Sequence, residues 1–204
     1  MKAPSSPKKI ALFGGTFDPV HLGHLWVAEA AQQMAALDQV IFLPSFHPPH
    51  KRDVFAPAKD RLAMVRLAIR GNAALTASDW ELRQKRVVYT FEALDYFSQK
   101  WPRAVLHFIL GSDSLRDLPG WRGGTALLKR ATFLVVEREE ALWHSIPLAL
   151  RRLSRRIPVS AVPFASHVLR ASISAGRSVR YELPPGVGEY IARHHLYTTK
   201  VHEK

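Results

Sequence analysis

The sequence predicts an α/β fold built around a parallel sheet. Three observations point there. Short apolar runs rich in Val, Ile, Leu and Phe alternate with helix-like segments almost throughout, as expected of strands buried on both faces and joined by crossover helices. Hydrophobic residues make up 47% of the 204 residues, enough to fill one sizeable core. No internal repeat and no low-complexity linker divides the chain, so one domain is expected over residues 1–204.

The first strand is expected over Lys9–Phe13, ending at Gly14–Gly15, and the alanine-rich first helix over Leu22–Leu37. Val40–Pro44 reads as the second strand. Lys59–Arg70 reads as the second helix, with Leu62, Val65, Leu67 and Ile69 on a mixed helical face and Ala58–Lys59–Asp60 as its start. Between them "PSFHPPHKRDVFAP", Pro44–Pro57, is the longest loop, and ordered loops at strand ends often carry function. Leu75–Ser78, Val105–Gly111 and Thr132–Glu137 are the next strands, with a sixth over Pro158–Pro163. Helices are expected at Thr90–Gln99, Thr125–Arg130 and Pro147–Leu153. Two more close the chain, one around Ser166–Ala175 and one in "PPGVGEYIARHHL", where Pro184–Pro185 precede the start. The sheet core then covers about residues 1–163 and a helical part about 164–204.

Composition narrows the partners. A formal net charge of +12 suits nucleic acid or phosphate-bearing small molecules, and equally an arginine-rich drift that needs no ligand. The densest basic cluster, "RRLSRR" at Arg151–Arg156, has no interleaved aromatics. It reads as a solvated helix face or turn, so no nucleic-acid partner is expected. Cysteine is absent, which excludes disulfides, thiolate metal sites and cysteine nucleophiles and suits the cytoplasm. No run approaches about 18 apolar residues, and no apolar signal core follows the polar Met1–Lys9. A soluble cytoplasmic protein is expected, off the membrane; a homo-oligomer is compatible with the sequence.

In a parallel sheet of this kind, ligands sit outside the carboxyl ends of strands where the strand order reverses. The turn after the first strand reads "GGTFDPVHLGH", Gly14–His24. Two glycines let backbone approach a phosphate, and N–H groups at a helix start bind anions. Neither GxGxxG nor GxxxxGK[ST] occurs at this turn. The i,i+3 spacing points His21 and His24 to one side of the first helical turn. Three roles compete: metal ligation, helix capping, or imidazoles donating to a polyphosphate. Metal ligation lacks an HExxH glutamate and any cysteine. The phosphate clamp is favoured.

"GGTFDPVHLGH" resembles the [S/T]-F-D-P-x-H-x-G-H signature of the nucleotidylyltransferase superfamily. The resemblance to bacterial nicotinate-nucleotide adenylyltransferases extends across nearly the whole chain. It runs through "LPSFHPPHK" (Leu43–Lys51), "VVYT" (Val87–Thr90), "FILGSDSL" (Phe108–Leu115), "LPGW" (Leu118–Trp121), "FLVVER" (Phe133–Arg138) and "GRSVRYELPPGVGEYIARHHLY" (Gly176–Tyr197). The first motif is specific to the superfamily; the ordered set is specific to this family.

The resemblance implies a Rossmann-like doubly wound parallel sheet with a C-terminal helical extension. It implies adenylyl transfer from ATP to nicotinate mononucleotide, assisted by Mg²⁺ held mainly by the ATP phosphates rather than by a protein metal site. His21 and His24 would bind the ATP phosphates as the catalytic pair, and Gly14, Gly15, Thr16 and Phe17 would line the nucleotide site, with Gly111 and Asp113 beside them. Ser166, His167 and Arg170 would hold the triphosphate. His50 and Lys51 would lie near the mononucleotide phosphate, Trp121 would stack on the pyridine, and Thr90 and Arg138 would help hold the nicotinate half. On the residues alone Asp113 is equally a helix N-cap, Trp121 a core residue, Lys51 a solvated charge and Arg138 a surface ion-pair partner.

The chain departs from the family pattern in two places. Where members commonly carry I-S-[S/A]-T-x-I-R, this sequence has "FASHVLR", Phe164–Arg170, with Ala165 and His167 at expected hydroxyl positions. Ala93 stands where Y-T-x-x-T carries threonine. Another adenylyltransferase of the superfamily, acting on pantetheine phosphate or nicotinamide mononucleotide, is the nearest alternative. A catalytically weakened nucleotide-binding regulator is the other.

Overall fold

Alternation along the strands sets the layers. On the first strand, β1 (Lys9–Gly15), Ile10 and Leu12 turn to one face while Ala11 and Phe13 turn to the other, and all four are buried. Successive side chains of a strand point to opposite faces, so a strand apolar at every position must be covered twice. The computed structural model describes residues 7–48, 54–137, 140–160 and 163–198.

Five further strands join β1: β2 (Gln39–Pro44), β3 (Leu75–Ala77), β4 (Val105–Gly111), β5 (Thr132–Glu137) and β6 (Ser154–Pro158). The order is β3-β2-β1-β4-β5-β6 and every pairing is parallel. The order reverses between β1 and β4, the doubly wound arrangement expected.

Helices α1 (Leu22–Ala35), α2 (Ala58–Ala68), α8 (Ser166–Ser174) and α9 (Val187–Arg193) cover one face. Their Val27, Met64, Leu169 and Ile191 pack with Phe13, Phe42 and Val136 of the sheet. The other face is closed by α3 (Trp80–Gln84), α4 (Thr90–Lys100), α5 (Ser112–Asp117), α6 (Glu140–Ser145) and α7 (Leu148–Arg152). There Trp80, Phe97, Leu115 and Leu150 meet Leu12, Phe108 and Val135. Full burial of one such side chain is worth about 1.5–3 kcal/mol, so each face commits its helices strongly. The C-terminal helices share the α1/α2 core. No helix among the described residues is long and apolar enough to cross a membrane.

Several expectations shift. The sixth strand is Ser154–Pro158, not Pro158–Pro163; residues 161–162 lie outside the described set. Pairing runs from Phe133↔Ser154 to Glu137↔Pro158. A proline at the end of a ladder, lacking an N–H, closes it. "RRLSRR" is therefore neither one solvated helix face nor a turn: it ends α7 and enters β6. An edge strand tolerates outward charge. Only Ile157 is buried there, while Arg156 pairs with the buried carboxylate of Glu137 and lies 5.8 Å from the Trp143 ring. The expected helix Thr125–Arg130 is a 3₁₀ stretch, Gly124–Lys129. Helices α3, α5 and α6 are additions, each six residues or fewer, too short for periodicity to register.

Candidate active site

The carboxyl ends of β1 and β4, on either side of the order reversal, open into a cavity of about 740 Å³. Its donor-side wall is Gly14, Gly15 and Thr16 from the β1 turn with Gly111 and Asp113 from the β4–α5 junction. Thr90 and Trp121, named separately on sequence for an acceptor, line the same cavity. Seven of the residues singled out from sequence thus converge on one space.

Gly15 is required by what lies behind it: a Cβ there would stand 2.8 Å from the Phe17 ring, whereas one on Gly111 would meet the movable carboxylate of Asp113. Phe17 sits in the left-handed region at φ 50°, where a side chain other than glycine is strained. Its ring is locked among Phe13, Phe42 and His24 with centroids 5.0–5.5 Å away. Phe17 is therefore a core residue under the turn, and its ring does not line the cavity. Asp113 is the second residue of α5, while Gly111 holds the N-cap position.

His21 is the N-cap of α1 and His24 its third residue, and the pair forms a reciprocal capping box. The His21 N–H donates to His24 Nδ1 at 3.2 Å, and the two rings lie 3.8 Å apart, tilted 33°. Capping and a ligand role are thus not exclusive. With Nδ1 engaged as acceptor, the neutral His24 ring carries its proton on Nε2. His21 is buried and His24 partly so.

The α8 residues dock on the same turn from the other side. Ser166 Oγ donates to the Pro19 carbonyl at 3.0 Å, and Arg170 Nη1 donates to the Asp18 carbonyl at 2.6 Å while lying over the Phe55 ring at 4.1 Å. His167 is exposed at the second position of α8. None of the three lines the cavity. His50, Lys51 and Arg138 lie outside the described residues.

Sequence reasoning missed several polar groups. Arg61 is fully buried and Glu81 nearly so. Burial pushes the Glu81 carboxyl up from 4.5 to about 8, against the pull of Arg61 and of the Phe46 N–H that bonds to it. Glu81 lines the cavity, as does Ser45, whose buried Oγ has no hydrogen-bond partner among the described residues. Tyr89 and Arg122, with the guanidinium 4.9 Å from the ring, form the rim beside Trp121. A signal existed for Arg61. It precedes Met64 and Val65 by three and four residues, which puts it on the buried face of α2. No pattern marked Glu81, which sits in the five-residue α3.

Comparison with known proteins covers the same ground. A family model described as cytidylyltransferase-like matches residues 12–177. A protein from Caldicellulosiruptor bescii described as a probable nicotinate-nucleotide adenylyltransferase is 37% identical over 196 residues, covering 93% of this chain and 98% of that protein. One of the same description from Symbiobacterium thermophilum is 40% identical over 200 residues, covering 93% and 95%. Among solved structures, the Plasmodium falciparum nicotinic acid mononucleotide adenylyltransferase complexed with NaAD superposes with a TM-score of 0.77 at 19% identity, covering 93% of this chain and 97% of that one. At that identity the likeness bears on the fold.

Proposed function

The chain belongs to the nicotinate-nucleotide adenylyltransferase family of the cytidylyltransferase-like superfamily, and from that premise we propose how its residues carry the reaction. An oxygen of the nicotinate mononucleotide phosphate bonds to the α-phosphorus of ATP. The bond from that phosphorus to the bridging oxygen breaks, and its electron pair leaves with pyrophosphate. The product is nicotinate adenine dinucleotide, a step of NAD biosynthesis.

The nucleophile needs no general base, because a phosphate monoester with a second pKa near ~6 is already largely dianionic at neutral pH. Catalysis reduces to positioning and charge neutralisation. The observation that carries the reading is the His21–His24 pair, with its rings 3.8 Å apart at the start of α1 beside the glycine turn and fixed by its own capping box. Neither ring lines the cavity itself; in this reading the triphosphate lies over the α1 start, and the imidazole donors meet the negative charge it gains as pyrophosphate departs. Gly14, Gly15, Thr16, Gly111 and Asp113 receive the nucleotide along the two strand ends. Ser166 and Arg170 hold the Asp18–Pro19 backbone under it, and the exposed His167 supplies an imidazole toward the outer phosphates.

On the acceptor side Trp121 offers an indole face to the electron-poor pyridinium, with Thr90 beside it. His50, Lys51 and Arg138 complete this half by the family resemblance. Magnesium, where it accompanies ATP, would supply charge neutralisation to the phosphates; it prefers phosphate and water oxygens plus one or two carboxylates, and Asp113 and Asp117, which line the cavity, are the carboxylates that would meet it.

Pyrophosphate release from ATP and Mg²⁺ is the test, with nicotinate mononucleotide, nicotinamide mononucleotide and pantetheine phosphate as acceptors in parallel. Release with nicotinate mononucleotide well above the other two is expected. Release with another acceptor alone, or with none, overturns the reading.

A further inference from the structure

Arg61 is the largest fully buried side chain of the described residues, and its contacts go to backbone rather than to a carboxylate. Nη1 donates to the Thr16 carbonyl at 2.6 Å. Nη2 donates to the Ser45 carbonyl at 2.6 Å and the Phe46 carbonyl at 3.1 Å, and Nε donates to the Ala56 carbonyl at 3.1 Å. Thr16 belongs to the glycine turn. Ser45–Phe46 and Ala56 are the two stems of the loop that follows β2. One guanidinium therefore holds the donor-side turn and both stems of the opposite loop.

The far stem is held from its N–H side as well. Buried Asp18 accepts from Phe55 N at 2.8 Å, Ala56 N at 3.0 Å and the Tyr197 hydroxyl at 2.7 Å. The Phe46 N–H lies on the Glu81 side of the near stem and favours the ionised form of that carboxyl. A buried cation is costly to keep unless its hydrogen bonds are satisfied. Here burial pulls the guanidinium down, and Asp18, Tyr197 and Glu81 pull it back up. A lysine could not replace it: one ammonium is a point donor, whereas the planar fork reaches separate carbonyls in fixed directions.

We propose that Arg61 is a positioning residue that sets the separation between the two substrate sites, by fixing the Thr16 turn and the Ser45–Ala56 stems to one rigid group. The proposal rests on the adenylyl-transfer reading above. Arg61 touches no substrate; it acts through the Thr16 backbone on the ATP side and through Ser45, a residue of the cavity wall, on the acceptor side. Misplacing reacting groups by about 1 Å can cost on the order of 10²-fold in rate. The capping box of His21 and His24 is internal to α1, so ATP binding should survive its loss.

The experiment compares wild type, Arg61→Lys and Arg61→Ala, each confirmed folded by circular dichroism. Pyrophosphate release is measured against both substrates and ATP Kd by calorimetry. Arg61→Lys is expected to lower kcat by at least ~10²-fold and raise the KM for nicotinate mononucleotide, with ATP Kd within about threefold of wild type. Millimolar methylguanidine should restore part of the kcat of Arg61→Ala but not of Arg61→Lys, whose ammonium fills the hole. A folded Arg61→Lys with wild-type kcat and KM overturns the proposal while the active wild type upholds the reading of function. A wild type inactive with every acceptor overturns both. If neither Arg61 variant folds, Tyr197→Phe decides. Freeing Asp18 on one side should raise the mononucleotide KM with the ATP KM unchanged, and unchanged values for both overturn the proposal.

Discussion

His24 shows how one side chain serves fold and chemistry together. Its Nδ1 accepts the N-cap N–H of His21, which leaves Nε2–H as a donor whose direction is set by the helix itself. Alanine removes both functions. We expect His24→Ala to lower turnover by at least ~10²-fold, as for loss of one preorganised transition-state donor, and to destabilise α1 by about 0.5–2 kcal/mol through the lost cap. Steady-state kinetics and urea denaturation on the same preparation separate the effects; near-normal turnover would remove the phosphate clamp. Trp121, half-buried at the cavity wall beside the second core, is tested by its selectivity. Trp121→Ala should raise the KM for nicotinate mononucleotide far more than that for ATP. Equal effects on the two KM values would return the indole to a packing role.

At the scale of elements, the β1–α1 turn is the part of the site most legible in the sequence, because glycine, aspartate-proline and the histidine spacing each carry a local physical meaning. The turn can be tested at Gly15. A methyl group there meets the Phe17 ring at 2.8 Å, and that ring cannot swing away while held among Phe13, Phe42 and His24. Gly15→Ala should cost about 1–3 kcal/mol of stability through overpacking and impair ATP binding. Wild-type denaturation curves with intact ATP affinity would show that the turn relaxes freely. The strands of the sheet interior were legible for the same reason, as apolar runs of fixed length. The edge was not. β6 buries one side chain, Ile157, just after a pair of arginines that read as a solvated helix face or turn. Arg61 and Glu81 were illegible in a further sense. Their burial depends on backbone groups brought together from three segments, Thr16, Ser45–Phe46 and Ala56, and no local pattern encodes that.

For the whole molecule, the buried Glu81 couples stability to pH. Burial first of all raises its carboxyl from 4.5 to about 8 in the folded protein, with Arg61 and the Phe46 N–H opposing and Glu92 adding to the rise. Below about 4.5 both folded and unfolded chains hold the proton, and this group contributes no pH dependence. Between about 4.5 and 8 the unfolded chain has released the proton and the folded one retains it. The unfolded state then binds fewer protons, and stability falls as pH rises. Above about 8 both are ionised and the loss is complete. Glu81→Gln keeps the acceptor for the Phe46 N–H and removes the titration. The variant should therefore melt higher than wild type at pH near 8 and converge with it toward pH 4.5. Each kcal/mol of difference moves Tm by about 2–4 °C in a domain of this size. Melting curves of both proteins across that range, with the difference plotted against pH, isolate Glu81 from every other carboxylate. A constant difference would mean that Glu81 is already ionised in the folded cavity, held by Arg61.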